Sequence, residues 1–161
     1  WSYAAGFADV DADGDQDLLV ANDWGQNRFY DNDGRGSFTE RSAALSLDHP
    51  GAGMGVLWHD VDGDGRMDPY ITNMFSNAGS RLMPHFDDAE PAVKEAMLAA
   101  ARGNVLWAGG DAGRFEDRTA ALGLANAGWA WGAALLDYDR DGDEDIYVAS
   151  GYFSGHREHD R

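Results

Sequence analysis

Asp9-Val10-Asp11-Ala12-Asp13-Gly14-Asp15-Gln16-Asp17 runs directly into Leu18-Leu19-Val20-Ala21, an acidic turn feeding an apolar β-prone segment. The stretch returns as Asp60-Val61-Asp62-Gly63-Asp64-Gly65-Arg66-Met67-Asp68, and again as Asp137-Tyr138-Asp139-Arg140-Asp141-Gly142-Asp143-Glu144-Asp145. Positions 1, 3, 5 and 9 of this nine-residue loop are Asp in all three copies, and position 6 is always Gly. The first two copies are 51 residues apart and the last two 77. A second set of matches, offset by 77, joins Asn27-Arg28-Phe29-Tyr30 to Asn104-Val105-Leu106-Trp107, while Asn22 and Asn73 keep the offset of 51. The 26 extra residues therefore form an insertion between about 74 and 103.

Each unit reads as four short strands. The first covers Trp1–Ala8, the second leaves the loop at Asp17, the third spans Asn27–Tyr30, and the fourth surrounds Phe38. Asp33-Gly34 between the last two predicts a tight hairpin with positive φ at both central positions. Four strands in about 50 residues, repeated, is the pattern of propeller blades. The expected fold is all-β, a partial β-propeller of about two and a half four-stranded blades with one helical insertion. Its expected parts are a blade over 1–47, a blade over 52–124 carrying the insertion at about 74–103, a half blade over 128–153, and a tail over 154–161. Such a set cannot close a ring, so further blades of a longer chain, or partner proteins, are expected to cover the open edges. The start at Trp1, with no initiator Met and no leader, agrees with a fragment or a processed product.

In the insertion, Asp87-Asp88-Ala89-Glu90-Pro91 supplies helix-start residues, and Val93, Met97, Ala100 and Ala101 recur at helical spacing before Gly103. A helix of roughly three turns is predicted, lying on its own propeller rather than reserved for a partner.

The loops carry the chemistry. Hard divalent cations take oxygen ligands, and Ca²⁺ accepts 6–8 of them at flexible angles. Carboxylates at positions 1, 3 and 5 converge from a tightly wound turn, position 7 offers its backbone carbonyl, and Asp at position 9 completes the cage. The expected ligands are Asp9, Asp11, Asp13, Asp15 and Asp17; Asp60, Asp62, Asp64, Arg66 (through its carbonyl) and Asp68; and Asp137, Asp139, Asp141, Asp143 and Asp145, for up to three Ca²⁺. An EF-hand starts similarly but needs a bidentate Glu at position 12, where this chain has Val20, Ile71 and Val148.

Composition agrees. Fourteen of the 29 Asp and Glu residues are the loop aspartates, and the net charge is −17. Crowded carboxylates resist ionisation, so the turns need a cation to be stable. The charge argues against nucleic-acid or anionic-membrane partners, no apolar run is long enough to span a bilayer, and the absence of Cys excludes disulfides and thiol chemistry. Asp31-Asn32-Asp33-Gly34-Arg35-Gly36 reads as a hairpin rather than a fourth cation loop. His156 and His159 read as a solvated terminus, and His49, His59 and His85 suggest no catalytic pair. Trp1, Trp129 and Trp131 are expected to pack between blades, with glycan stacking as the other reading.

Gly128-Trp129-Ala130-Trp131-Gly132-Ala133 leading into Asp137, then Asp145-Ile146-Tyr147-Val148-Ala149-Ser150-Gly151, resemble the FG-GAP/VCBS repeat family. With Asn32-Asp33-Gly34-Arg35-Gly36-Ser37-Phe38-Thr39 and Arg118-Thr119-Ala120-Ala121-Leu122-Gly123-Leu124, the likeness is closer to the branch of cartilage acidic protein and ASPIC/UnbV-type proteins. The resemblance implies a secreted or periplasmic calcium propeller with the loop aspartates as ligands, and no reaction of its own. A protein-interaction scaffold outside the cytosol is therefore the expected function. The alternatives are a glycan-binding propeller and a non-catalytic part of a secreted hydrolase or lyase.

Overall fold

The computed structural model describes residues 1–109 and 113–151. Strands β1 (Ser2–Ala8), β2 (Asp17–Gln26), β3 (Arg28–Asn32) and β4 (Phe38–Glu40) form an antiparallel meander. Strands β5 (Pro50–His59), β6 (Asp68–Asn73), β7 (Val105–Gly109) and β8 (Phe115–Asp117) form a second. Strands β9 (Ala130–Leu136) and β10 (Asp145–Ser150) begin a third. The register repeats with the sequence: Ala8 pairs with Asp17, His59 with Asp68, and Leu136 with Asp145. The chain is a partial β-propeller.

Adjacent blades are also stitched by backbone. β2 runs past its own blade and pairs with β5 through Asp23–Ala52 and Gly25–Gly51, with Trp24 bulged out at φ 56°. The Met74–Trp129 bridge between the second and third blades is the same Asp23–Ala52 pair moved on by one repeat.

Alternation along each strand puts one face toward the preceding blade and one toward the next. Leu19, Ala21 and Phe29 of the first blade pack in one core with Val56, Trp58, Ile71 and Val105 of the second. Gly6 allows the close approach, since a Cβ there would lie 2.7 Å from Val56 Cγ1 and 3.0 Å from Trp58 Nε1. The asparagines that revealed the repeat are paired, and Asn27, Asn73 and Asn104 are buried. Asn27 Oδ1 accepts the Asn22 amide at 3.1 Å, and Asn104 Oδ1 accepts the Asn73 amide at 2.8 Å. Ser42 and Thr119, also 77 residues apart, receive the amides of Phe29 (2.7 Å) and Leu106 (2.8 Å) through their hydroxyls. Each side chain replaces a strand partner that the backbone cannot supply.

Four expectations need correction. The β3–β4 hairpin places Gly34 and Gly36, not Asp33, at positive φ, and Asp33 instead accepts the amides of Arg35 and Ser37. The insertion contains more than one helix. Besides α3 (Pro91–Ala101), it holds α2 (Asn77–Leu82), capped by Ser76 Oγ on the Gly79 amide at 3.0 Å, and a 3₁₀ turn at Met83–His85. A short α1 (Ser42–Leu45) also precedes the link to β5. Helix α3 does lie along β5, but only its C-terminal Ala100 and Ala101 are buried, while Val93 and Met97 face solvent. Lastly, Trp1 and Trp131 are exposed rather than packed between blades. His156 and His159 lie outside the described residues.

His49, on the link between the first two blades, stands edge-on to Trp107 with ring centroids 6.1 Å apart. Burial, with help from Arg102 and against Asp48 and Asp117, lowers its pKa from 6.5 to about 4. A neutral buried imidazole contributes stability that is complete above pH 6.5 and is lost as pH falls toward 4, because the unfolded chain takes up the proton first. After allowance for partial solvent contact, the loss should be about 1–2 kcal/mol. Urea titrations at pH 7 and pH 4.5 should show that increment in the wild type, reduced in His49→Gln.

Candidate metal centres

All three acidic turns sit between the first and second strands of their blades, at one end of the sheet. Each adopts left-handed backbone at positions 4 and 6: Ala12 and Gly14, Gly63 and Gly65, Arg140 and Gly142. Position 6, with φ of 87° to 100°, lies beyond the usual left-handed range of side-chain-bearing residues, which explains why it is always Gly. Position 4, at 62° to 74°, tolerates Ala and Arg. The double reversal turns successive carboxylates inward. The position-1 carboxylate then accepts the position-6 amide, Gly14 to Asp9 at 3.1 Å and Gly65 to Asp60 at 2.8 Å.

Carboxylate oxygens converge within 4.8 Å of one another in every loop. The sets are Asp9, Asp11 and Asp13; Asp60, Asp62 and Asp68; and Asp137, Asp139 and Asp145. The cluster therefore uses position 5 in the first loop and position 9 in the other two. The remaining expected ligands lie alongside: Asp15 and Asp17 in the first loop, Asp64 and Arg66 in the second, Asp141 and Asp143 in the third. Asp9 Oδ1 and Asp15 Oδ1 are buried oxygens with no hydrogen-bond donor among the described residues. Stranded carboxylate oxygens beside a converging set are what an oxygen-seeking cation would satisfy, so the donor set fits Ca²⁺.

Position 9 has a structural duty that the spacing did not reveal. Asp17 is 3% and Asp68 1% exposed. Asp17 closes its loop through the Val10 amide (3.1 Å) and reaches the end of β3 through the Asn32 amide (3.0 Å). Asp68 does the same with Val61 (3.1 Å) and with Gly109 at the end of β7 (2.8 Å). Asp145 keeps the loop-closing contact with Tyr138, at 2.9 Å. Burial is the main cause raising the pKa of both Asp17 and Asp68, opposed by these amides and reinforced by neighbouring aspartates. Asp11 is raised in the same way, by burial and then by Asp13, Asp17 and Asp31. A divalent cation would relieve this repulsion.

The loops differ at position 7. Arg66 forks onto Asp64 Oδ2 through Nε (2.8 Å) and Nη2 (2.5 Å), and this pairing lowers the Asp64 pKa. An Arg two residues after an Asp was the sequence signal for the pair. Across blades, His59 Nδ1 meets Glu144 Oε2 at 3.2 Å, joining the end of β5 to the third loop. Asp31 pairs with Arg41 at 2.7 Å, and Asp33 is engaged in its turn, so the segment from 31 to 36 is a hairpin.

Blades built on a strand, an acidic turn and a strand, with oxygen-only clusters that could hold metal ions, define the class as a loop-bearing β-propeller. The family model for FG-GAP-like repeats matches residues 9–71 and 95–148, and the chain belongs to that family. No curated protein matches the chain. Members of the family generally serve as scaffolds rather than catalysts. Among the described residues, no helix is long and apolar enough to cross a membrane.

Proposed function

We propose that this chain is a calcium-rigidified propeller scaffold that works outside the cytosol and presents its surfaces to other proteins, without catalysing a reaction. The observation that carries the reading is the threefold convergence of carboxylate oxygens at equivalent turns. Filling three sites would bring the formal charge from −17 to −11. Extracellular calcium modules bind with Kd of about 10⁻⁴–10⁻³ M, so such loops fill in an exterior medium and stay empty at cytosolic calcium levels. The family membership, and the closer likeness of the third unit to the cartilage acidic protein and ASPIC/UnbV branch, support the same placement. Calorimetric titration with Ca²⁺ and with Mg²⁺ tests it. Heat from up to three sites for Ca²⁺ is expected, and the absence of Ca²⁺ binding would end the calcium reading.

The three sites should not be equal. In the second loop a guanidinium already neutralises Asp64, so this site is expected to bind last. Arg66→Gln should raise its affinity roughly three- to tenfold at low salt, with a smaller gain at high salt. Three indistinguishable sites, unaffected by the substitution, would count against this ranking.

A glycan-binding role is the second reading, supported by Tyr138 and Trp131 standing exposed on and beside the third loop. Retention on a glycan array in calcium, lost on Tyr138→Ala, would favour it over the scaffold.

A further inference from the structure

Between the first two blades, both with all four strands in place, lies a cleft of about 410 Å³, large enough for a small ligand. Val10, Phe29, Leu45 and Phe115 supply its apolar lining, with the two phenylalanines buried. Three guanidinium groups also line it, from Arg41 of the first blade and from Arg66 and Arg114 of the second. The repeat does not call for the last two. The equivalents of Arg66 are Asp15 and Asp143, and the equivalent of Arg114, 77 residues back, is Ser37. Space is kept for one of them, since a Cβ at Gly109 would lie 2.8 Å from Arg66 Nη2.

The charges along the lining are not all matched. Arg41 is paired with Asp31 at 2.7 Å, and Arg66 is paired with Asp64. Arg114 has no carboxylate partner among the described residues, and its Nη2 reaches only the Ala43 carbonyl oxygen, at 3.4 Å. A long contact to one neutral oxygen leaves most of its donors unused. An exposed guanidinium beside an apolar pocket suits a carboxylate, which it can hold through two parallel N–H bonds. The lining carboxylates that would repel such a ligand are Asp11 and Asp17, both in the first acidic loop. A divalent cation on that loop adds two positive charges beside them and turns the balance toward an anion. At about 0.15 M salt the rest of the acidic surface is screened beyond about 8 Å, so these nearby groups decide.

We propose that this cleft binds an organic acid with an apolar body, its carboxylate on Arg114 and its apolar part against Phe29, Leu45 and Phe115, and that Ca²⁺ on the first loop strengthens the binding. The pocket goes beyond the scaffold reading, and only its coupling to calcium rests on that reading. A peptide ending in an apolar residue and a small aryl acid share this chemistry.

Isothermal titration of the whole chain in millimolar calcium, with N-acetylphenylalanine, its uncharged amide and 3-phenylpropanoate, tests the proposal. Saturable one-to-one binding of the acids is expected, with the amide about tenfold weaker or worse. Tighter binding of N-acetylphenylalanine assigns the cleft to a peptide terminus, and tighter binding of 3-phenylpropanoate to a small aryl acid. Arg114→Gln should weaken the acids about tenfold and leave the amide unchanged, a split that general loss of structure would not give. Should that variant lose its folded circular dichroism spectrum, Arg114→Lys keeps the charge without the planar fork and should weaken the acids about threefold. Lowering calcium to a level at which the chain is still folded should weaken the acids several-fold and leave the amide as before. The absence of saturable binding, equal affinity for acid and amide, or an Arg114 variant that binds like the wild type would each overturn the proposal. Acid binding that ignores calcium would overturn the coupling. A chain that takes up no Ca²⁺ in a separate titration, yet still prefers acid to amide through Arg114, retains the cleft while contradicting the calcium reading.

Discussion

Gly103→Ala is expected to lower Tm by about 10 °C or more, the largest effect of any single methyl group considered in this chain. Gly103 follows α3 at φ 98°, outside the range that an alanine adopts comfortably. A Cβ there would lie 2.2 Å from the Ala125 carbonyl oxygen and 3.2 Å from Phe75 Cδ2. The carbonyl cannot yield cheaply, because it accepts the Asn104 amide at 3.0 Å. Asn104 in turn accepts the Asn73 amide and donates Nδ2–H to Tyr70 Oη at 2.7 Å, entirely without solvent contact. Backbone strain of about 1–2 kcal/mol and a clash of about 1–3 kcal/mol give a loss of about 3–4 kcal/mol. Gly123→Ala is the control, since Gly123 has φ 71° with open space around its Cβ position. It should cost only about 1 kcal/mol. Equal costs for the two substitutions in thermal unfolding would refute the close-approach explanation.

The second large effect belongs to Asp68. Asp68→Ala strands the Val61 and Gly109 amides and removes a carboxylate from the second cluster, at an expected cost of about 3–5 kcal/mol in calcium. Asp145→Ala, at an exposed position that among the described residues accepts the Tyr138 amide alone, should cost clearly less. Asp68→Asn separates the two roles of the residue. It keeps one of the two acceptor oxygens and loses the charge, so after chelation its cost should be that of one lost amide contact, offset by relief of the repulsion from Asp62 and Asp64, and in calcium clearly larger. Urea denaturation of the three variants in calcium and in chelator measures this. An Asp68→Asn cost that is the same in both media would mean that position 9 serves only as an amide acceptor.

The elements that sequence alone revealed are those in which a backbone requirement fixes residue identity. Gly at position 6 and Asp at positions 1, 3 and 5 are set by the turn itself, so the three loops and their flanking strands could be placed by inspection. Asn27 and Asn104 were visible as a match, but their meaning was not, because a side chain that substitutes for a strand partner leaves no periodicity. The pairing of β2 with β5 was hidden for a similar reason: Trp24 bulges out, and the strand continues past the point where its alternation breaks. Helix α2 is short and rich in small residues, so nothing but its Ser76 cap marked it. The helical spacing of Val93, Met97, Ala100 and Ala101 did not show which of them is covered, and only Ala100 and Ala101, in the last turn of α3, are buried. In the acidic loops the residue types were legible, while the choice between position 5 and position 9 was not, because all three copies carry Asp at both positions.

Thermal unfolding in millimolar calcium, in magnesium and after chelation tests the central claim most directly. Binding to the folded state alone adds about 2.7 kcal/mol per site at a hundredfold excess over Kd. A Tm that falls steeply on chelation and returns with calcium but not with magnesium is the predicted result. A Tm unchanged across all three media would show that the acidic turns hold their shape without a cation, and the calcium-rigidified scaffold would be contradicted.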